Sequence, residues 1–197
     1  MAKSDIFDLK KQLVQYGSHH NNKANVIIHM IFVPTIFWTA LVLGAKTGAL
    51  ININNLPTSL KWLKTMGPNL GFFTVTFYTM YYAILDPVAS TLYAPFLYLM
   101  CYTATQFQRT NPNSTKLAIG LHITSWIFQF IGHGAAEKRS PKLVDNLVQA
   151  LVSAPYFVFF EILFAVGYRP NLRKQVMEEV HKDIAAFRAK KEGKKAI

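Results

Sequence analysis

The chain of 197 residues has a single cysteine, Cys101, so no internal disulfide is available to it. Acidic residues are scarce: 10 Asp and Glu stand against 21 Lys and Arg, a formal charge of +11. Charged residues of both signs make up only 16% of the chain, against about a quarter in soluble domains. Disorder is excluded by 51% hydrophobic and 14% aromatic residues and by a mean hydropathy of +0.19. There is no GxGxxG fingerprint or phosphate loop to bind a nicotinamide or nucleotide. Nor is there a histidine cluster of the HxxHH kind that marks di-iron lipid desaturases and hydroxylases. No secretory leader is expected, because Met1 to Asn25 is polar and charged, and the first apolar segment then directs insertion itself.

What is present is a set of long uncharged stretches. Val26 to Leu43 is 18 residues, Leu70 to Leu85 is 16, Pro87 to Phe107 is 21 and Leu117 to Ala136 is 20. A fifth, Leu147 to Tyr168, runs 22 residues with one acid, Glu161. Each approaches the roughly 20 residues that cross a hydrocarbon core. None alternates as a barrel strand does, so strands are excluded. The basic residues lie between and beyond these stretches rather than along a soluble face, which argues for a lipid bilayer and against nucleic acid as partner. The reading is an all-α, polytopic membrane bundle of four to six embedded helices. It divides into a cytosolic linker over 1–25, a membrane-embedded catalytic bundle over 26–168 and a basic cytosolic tail over 169–197.

Breaks are expected at Asp86-Pro87, at Asn111-Pro112-Asn113 and from Lys138 to Pro141, with Asp86 as a helix-end residue. Pro34, Pro95 and Pro155 fall inside apolar segments and favour kinks. From Arg169 onward nine Lys or Arg face four Asp or Glu. The tail reads as an amphipathic helix with Val176, Val180, Ile184 and Phe187 on its apolar side. Lys10, Lys11 and Lys23 flank the first segment, so the positive-inside rule places both ends in the cytosol. An even number of crossings then requires one segment to turn back, and the fifth, broken at Pro155, is the expected hairpin. The terminal Lys194-Lys195-Ala196-Ile197 looks like a dilysine retrieval signal of endoplasmic-reticulum membrane proteins, a receptor-read address.

Histidine carries the chemical signal. Of six, only His181 lies in the tail; His19 and His20 precede the first segment, and His29, His122 and His133 lie inside apolar ones. Ionisable groups at membrane depth are costly and default to function, and imidazole is the commonest ligand for iron, copper and zinc. His122 and His133 are 11 residues apart, which on an unbroken helix puts them on one face but roughly 16 Å apart. Either Gly132 and Gly134 break the helix, or His122 serves something deeper. The convergent set is therefore His20, His29 and His133, with Glu137 as a candidate carboxylate and His122 as a further candidate ligand. Asn25, four residues before His29, can orient it or simply cap the helix. Two histidines with a carboxylate, or three or four histidines, both suit a metal with open positions.

Two motifs carry a family resemblance. They are Tyr16-x-x-x-His20-x-Asn22-x-x-Asn25-x-x-x-His29-x-x-x-x-Pro34 and Trp126-Ile-Phe-Gln-Phe-Ile-Gly-His133-Gly-Ala-Ala-Glu137-Lys-Arg-Ser-Pro141, the second continuing through Leu143 to Gln149 and Ala154-Pro155-Tyr156. Together they resemble the endoplasmic-reticulum 2-hydroxy fatty acid dioxygenases of phytosphingosine degradation, whose fungal members act in fatty acid α-oxidation. The similarity runs from about Phe7 to Pro170, and the family spacing selects His20 over His19. The resemblance implies an Fe(II)-dependent enzyme that takes a 2-hydroxy fatty acid and O2 to CO2 and an acid one carbon shorter. It also implies that His20, His29 and His133 hold Fe(II), with His122 or Glu137 completing or supporting the site. A non-enzymatic membrane scaffold or transporter with buried structural histidines is the alternative.

Overall fold

The computed structural model describes residues 6–52, 57–60, 62–137 and 147–193, and every regular element among them is helical. The helices are α1 (Leu9–Gly17), α2 (Lys23–Ala45), α3 (Trp62–Met66), α4 (Leu70–Leu85), α5 (Pro87–Thr110), α6 (Ser114–Ile131), α7 (Leu147–Ala165) and α8 (Pro170–Gly193). A short 3-10 turn spans Thr58–Leu60, and a π-helical segment, Gly132–Glu137, follows α6. The chain forms two compact units, Met1–His29 with Phe130–Ile197, and Met30–Gln129. Helices α2 and α6 contribute to both.

In the first unit the linker expected over residues 1–25 contains a helix. The Asp8 carboxylate accepts the Lys11 amide at 3.0 Å and caps α1. Leu9, Gln12, Leu13 and Tyr16 then fall on one buried face, the i, i+3, i+4, i+7 spacing of an amphipathic helix. Against that face pack Val176 and Val180 of α8, with Lys10 and Glu179 paired at 2.6 Å across the same contact. The apolar stripe expected in the tail is therefore used: Val176 and Val180 are buried, Ile184 and Phe187 half-buried. Helix α7 adds Tyr156, Phe157, Val158, Phe160 and Leu163 to this core.

The hairpin expected at Pro155 is not there. Helix α7 runs through Pro155, and the chain bends by 118° only between Ala165 and Pro170. One proline costs a helix a single hydrogen bond and some room, whereas the segment after Ala165 carries true break chemistry. Gly167 has φ 87° and Arg169 φ 46°, and Pro170 opens α8.

The second unit combines a buried apolar core with many large apolar side chains on its outside. Asp86 ends α4 and caps α5, its Oδ1 accepting from the amides of Val88 and Ala89 at 3.1 Å, as its place before proline suggested. The Ser90 hydroxyl donates back to the Thr79 carbonyl at 3.0 Å. Val75, Tyr82, Ala89, Leu97 and Ala104 fill the contact of α4 with α5. Gly44 and Gly71 let α2 and α4 touch: a Cβ on Gly44 would sit 3.0 Å from the Gly71 nitrogen. Thr39, Asn69, Asp86, Ser90, Thr105 and Ser125 are buried, while Phe77, Met80, Ile84, Val88, Leu92, Phe96 and Ile127 face outward. Hydroxyls on the helices turn back on their own backbone: Thr74 to Leu70, Thr76 to Phe72, Thr79 to Val75, Thr91 to Pro87 and Ser125 to Leu121, all within 2.9 Å.

The structure thus bears out the all-helical class, while the expected four to six crossings are not confirmed by it. Among the described residues, one helix, Lys23–Ala45, suffices by length and composition to cross a membrane, or two if the bent pair Leu151–Ala165 and Pro170–Lys190 is one span. Helix α4, with 16 residues, is about 24 Å long, short of a core of roughly 30 Å. Helices α5 and α6 are long enough but interspersed with Ser, Thr, Gln and Lys.

The contact of α1 with α8 is testable. A Cβ on Gly17 would lie 2.8 Å from Val180 Cγ2, a methyl on a stiff branched side chain. Gly17→Ala should cost about 1–3 kcal/mol by overpacking, read as a lower melting temperature in detergent. Adding Val180→Ala should recover part of the loss; strict additivity of the two costs would show that the contact is not made.

Candidate metal centre

Three imidazoles from separate segments of the first unit meet. His20 sits in the turn that leaves α1, where the amides of His19 and His20 bond back to Tyr16 and Gly17 at 3.0 and 3.2 Å. His29 lies in the second turn of α2, and His133 in the π-helical segment. Their ring centroids are 4.2 Å (His20 to His29), 4.8 Å (His20 to His133) and 4.9 Å (His29 to His133) apart, each pair edge-on at 72–85°. One nitrogen from each ring lies within 4.8 Å of the other two. His29 and His133 are buried and His20 is half-buried. This is the helix break near His133 that the flanking glycines suggested, since a π turn rotates the residues after it out of α-helical register.

The tautomers are set by the hydrogen bonds. His20 Nδ1 donates to the Tyr16 carbonyl at 2.8 Å, and His29 Nδ1 donates to the Asn25 carbonyl at 2.9 Å. A carbonyl oxygen only accepts, so both Nδ1 atoms carry the proton and both Nε2 atoms carry a lone pair. Those two Nε2 atoms face each other at 3.0 Å. Two lone pairs at that distance repel unless a cation lies beside both, and nitrogens bound about 2.1 Å from one ion at right angles are about 3 Å apart. Burial, with the neighbouring His29 and His133, holds the His20 imidazole well below the usual histidine range, which keeps it neutral and able to ligate. The donor set fits a divalent transition metal.

Neighbours fix the rings. Tyr16 stacks on His20 with centroids 4.0 Å apart and planes 13° apart, and is itself braced by Phe157 at 4.9 Å. Sequence reasoning places Tyr16 in the motif but misses its role as platform. The signal is its position four residues before His20, the spacing that Asn25 has to His29. Asn25 is fully buried, and its side-chain Nδ2 donates to the His19 carbonyl at 3.4 Å. His19 is also buried but does not belong to the cluster.

His122, expected as a further candidate ligand, lies in the second unit with both nitrogens engaged. Trp126 Nε1 donates to its Nε2 at 3.0 Å, so its Nδ1 carries the proton and donates to Thr39 Oγ1 at 2.8 Å. No lone pair is left for an ion. The backbone of Glu137 closes the π-helical segment; its side chain, with Lys138, Arg139 and the terminal Lys194 to Ile197, lies outside the described residues.

Purified protein should bind one divalent ion per chain, followed with Co(II) by its visible absorption. Removing one ligand, as in His29→Ala, should weaken binding by more than the roughly 10–100-fold that loss of an outer-shell partner costs. His122→Gln should keep the stoichiometry at one. Undiminished binding in His29→Ala would count against the centre.

The family model described as "2-hydroxy-palmitic acid dioxygenase Mpo1-like" matches residues 6–166. The chain is 38% identical over 168 residues to the protein named "2-hydroxy-palmitic acid dioxygenase MPO1" of Saccharomyces cerevisiae, covering 85% of this chain and 87% of that one. No solved structure matches. The matched residues include the histidines of both motifs, and the chain belongs to the Mpo1-like family.

Proposed function

We propose that the chain is an Fe(II)-dependent dioxygenase that converts a 2-hydroxy fatty acid and O2 to the fatty acid one carbon shorter, CO2 and water. The observation that carries this reading is the pair of Nε2 lone pairs facing each other at 3.0 Å, in a chain similar to a named 2-hydroxy-palmitic acid dioxygenase. The stoichiometry balances: the hydroxyl carbon rises three oxidation levels to a carboxyl, the old carboxyl rises one to CO2, and O2 accepts the four electrons. No 2-oxoglutarate or nicotinamide is needed.

His20, His29 and His133 are the residues that would hold the ion. When bound, Fe(II) supplies the redox-active centre for O2 chemistry that zinc lacks. The Tyr16 and Asn25 carbonyls hold the protons of two rings on the side away from the ion, which fixes ring rotation and raises ligand basicity. Three neutral imidazoles bring no negative charge, so the site favours an anionic, chelating partner such as a carboxylate with an adjacent hydroxyl. Asn25 acts by orienting His29, and Glu137 is the carboxylate assigned to support the site. His122 serves as a structural histidine tying α2 to α6 through Thr39.

We read the second unit as embedded in lipid. Outward-facing Phe77, Met80, Ile84, Leu92 and Phe96, with hydroxyls bonded to their own helices, support that setting. A multi-pass protein of the endoplasmic-reticulum membrane with both ends cytosolic is the reading that the basic flanks and the dilysine-like terminus support.

Detergent-purified protein given Fe(II) and 2-hydroxypalmitate should consume one O2 and release one CO2 and one pentadecanoate per acid, whereas palmitate should give nothing. A chelator should stop the reaction, and Fe(II) but not Zn(II) should restore it. His133→Ala should lower turnover by a hundredfold or more, on the order of losing a metal's full catalytic share, and remain in the membrane. Full activity in that variant, or a protein without iron uptake or O2 consumption, as a scaffold or transporter would be, overturns the proposal.

A further inference from the structure

Asn25 touches all three histidine-bearing segments. Its main-chain carbonyl accepts from His29 Nδ1 at 2.9 Å. Its side-chain Nδ2 donates to the carbonyl of His19, the residue before His20. Its Oδ1 lies against Gly132, the residue before His133, so closely that a Cβ there would overlap it; Ile28 Cδ1 would be 3.3 Å away and Asn25 Cγ 3.5 Å. The residue is fully buried, so its amide has little freedom to turn aside. The two glycines that flank His133 differ in this respect. A Cβ on Gly134 meets nothing within 4 Å, and neither glycine has a positive φ, so alanine is conformationally allowed at both.

We propose that the Asn25–Gly132 contact is a steric register that sets His133 against the His20 and His29 pair, making both residues positioning residues for the metal. The bare Cα of Gly132 lets the amide of Asn25 lie directly against the stretch of backbone that carries His133. The same amide holds the His19 carbonyl, and the same residue's carbonyl holds His29. One residue, through its amide and its carbonyl, thus measures the spacing of three ligand segments that lie apart along the chain. A methyl at Gly132 forces one of two displacements: either Asn25 turns and releases the linker that carries His20, or the π-helical segment backs away with His133. Metal sites respond to shifts of well under 1 Å in ligand position, so either one is felt at the ion. The inference rests on the reading of the three histidines as ligands.

The test compares Gly132→Ala, Gly134→Ala, Asn25→Ala and the Gly132→Ala/Asn25→Ala double variant in the full-length protein. The readouts are Co(II) affinity, the Co(II) visible spectrum, and kcat and KM for 2-hydroxypalmitate. Gly132→Ala should weaken Co(II) binding about 10–100-fold, alter the spectrum and lower kcat with KM little changed. Gly134→Ala should match the unsubstituted protein within about twofold. In the Asn25→Ala background the overlapping oxygen is gone, so adding Gly132→Ala should cost little more. If Gly132→Ala fails to accumulate, recovery of folded, Co(II)-binding protein in the double variant reads the same contact. The proposal is overturned if Gly132→Ala behaves as Gly134→Ala does, or if it costs as much without the Asn25 side chain as with it. His29→Ala in the same series separates the two claims: undiminished Co(II) binding there defeats the metal centre itself, whereas loss of binding there with a silent Gly132→Ala defeats only the register.

Discussion

The first unit is organised around one electrostatic demand, two imidazole lone pairs aimed at each other across 3.0 Å. Each is directed by a main-chain carbonyl four residues earlier, Tyr16 for His20 and Asn25 for His29, so the helical backbone itself selects the tautomer. Burial keeps the His20 ring neutral, and a neutral ring has a lone pair to offer. An arrangement that is repulsive alone becomes favourable with a divalent cation. The surrounding fold serves to hold this arrangement: Tyr16 stacks under His20, Phe157 braces Tyr16, and α8 covers the back of α1.

The second unit is marked by its outward face. Several polar side chains are buried or folded back onto their own helices, and beside a buried apolar core many large apolar side chains face outward. Outward apolar side chains and hydroxyls bonded to their own helix are the features on which the proposed lipid setting rests. A fatty acyl substrate and a metal-chelating headgroup make complementary demands, one for an apolar setting and the other for buried imidazoles. The chain carries both.

Much of this is legible in the sequence. The apolar segments form helices nearly at their expected bounds, the Asp86-Pro87 break is a helix cap, and the GHG sequence is a break after α6. Other features are hidden for identifiable reasons. Helix α1 reads as linker because its apolar residues are spaced among lysines and glutamines, although Asp8 with Leu9, Leu13 and Tyr16 carries the pattern. Pro155 draws attention from the real bend because proline is a louder signal than a glycine and an arginine in left-handed conformation. His122 resembles its fellow histidines in depth and composition. Only the positions of Thr39 and Trp126 show that both its nitrogens are already committed.

The sequence by itself determined the helical class, the apolar lengths and the short roster of imidazoles from which a site could be drawn, because periodicity, charge depletion and ionisable residues in apolar runs are local properties. Tertiary structure decided which of those imidazoles meet and with which nitrogen forward. That choice depends on how a turn after α1, the start of α2 and a π-helical segment pack through Asn25 and Gly132. Contacts between segments so distant along the chain are set by steric fit, which no local pattern encodes.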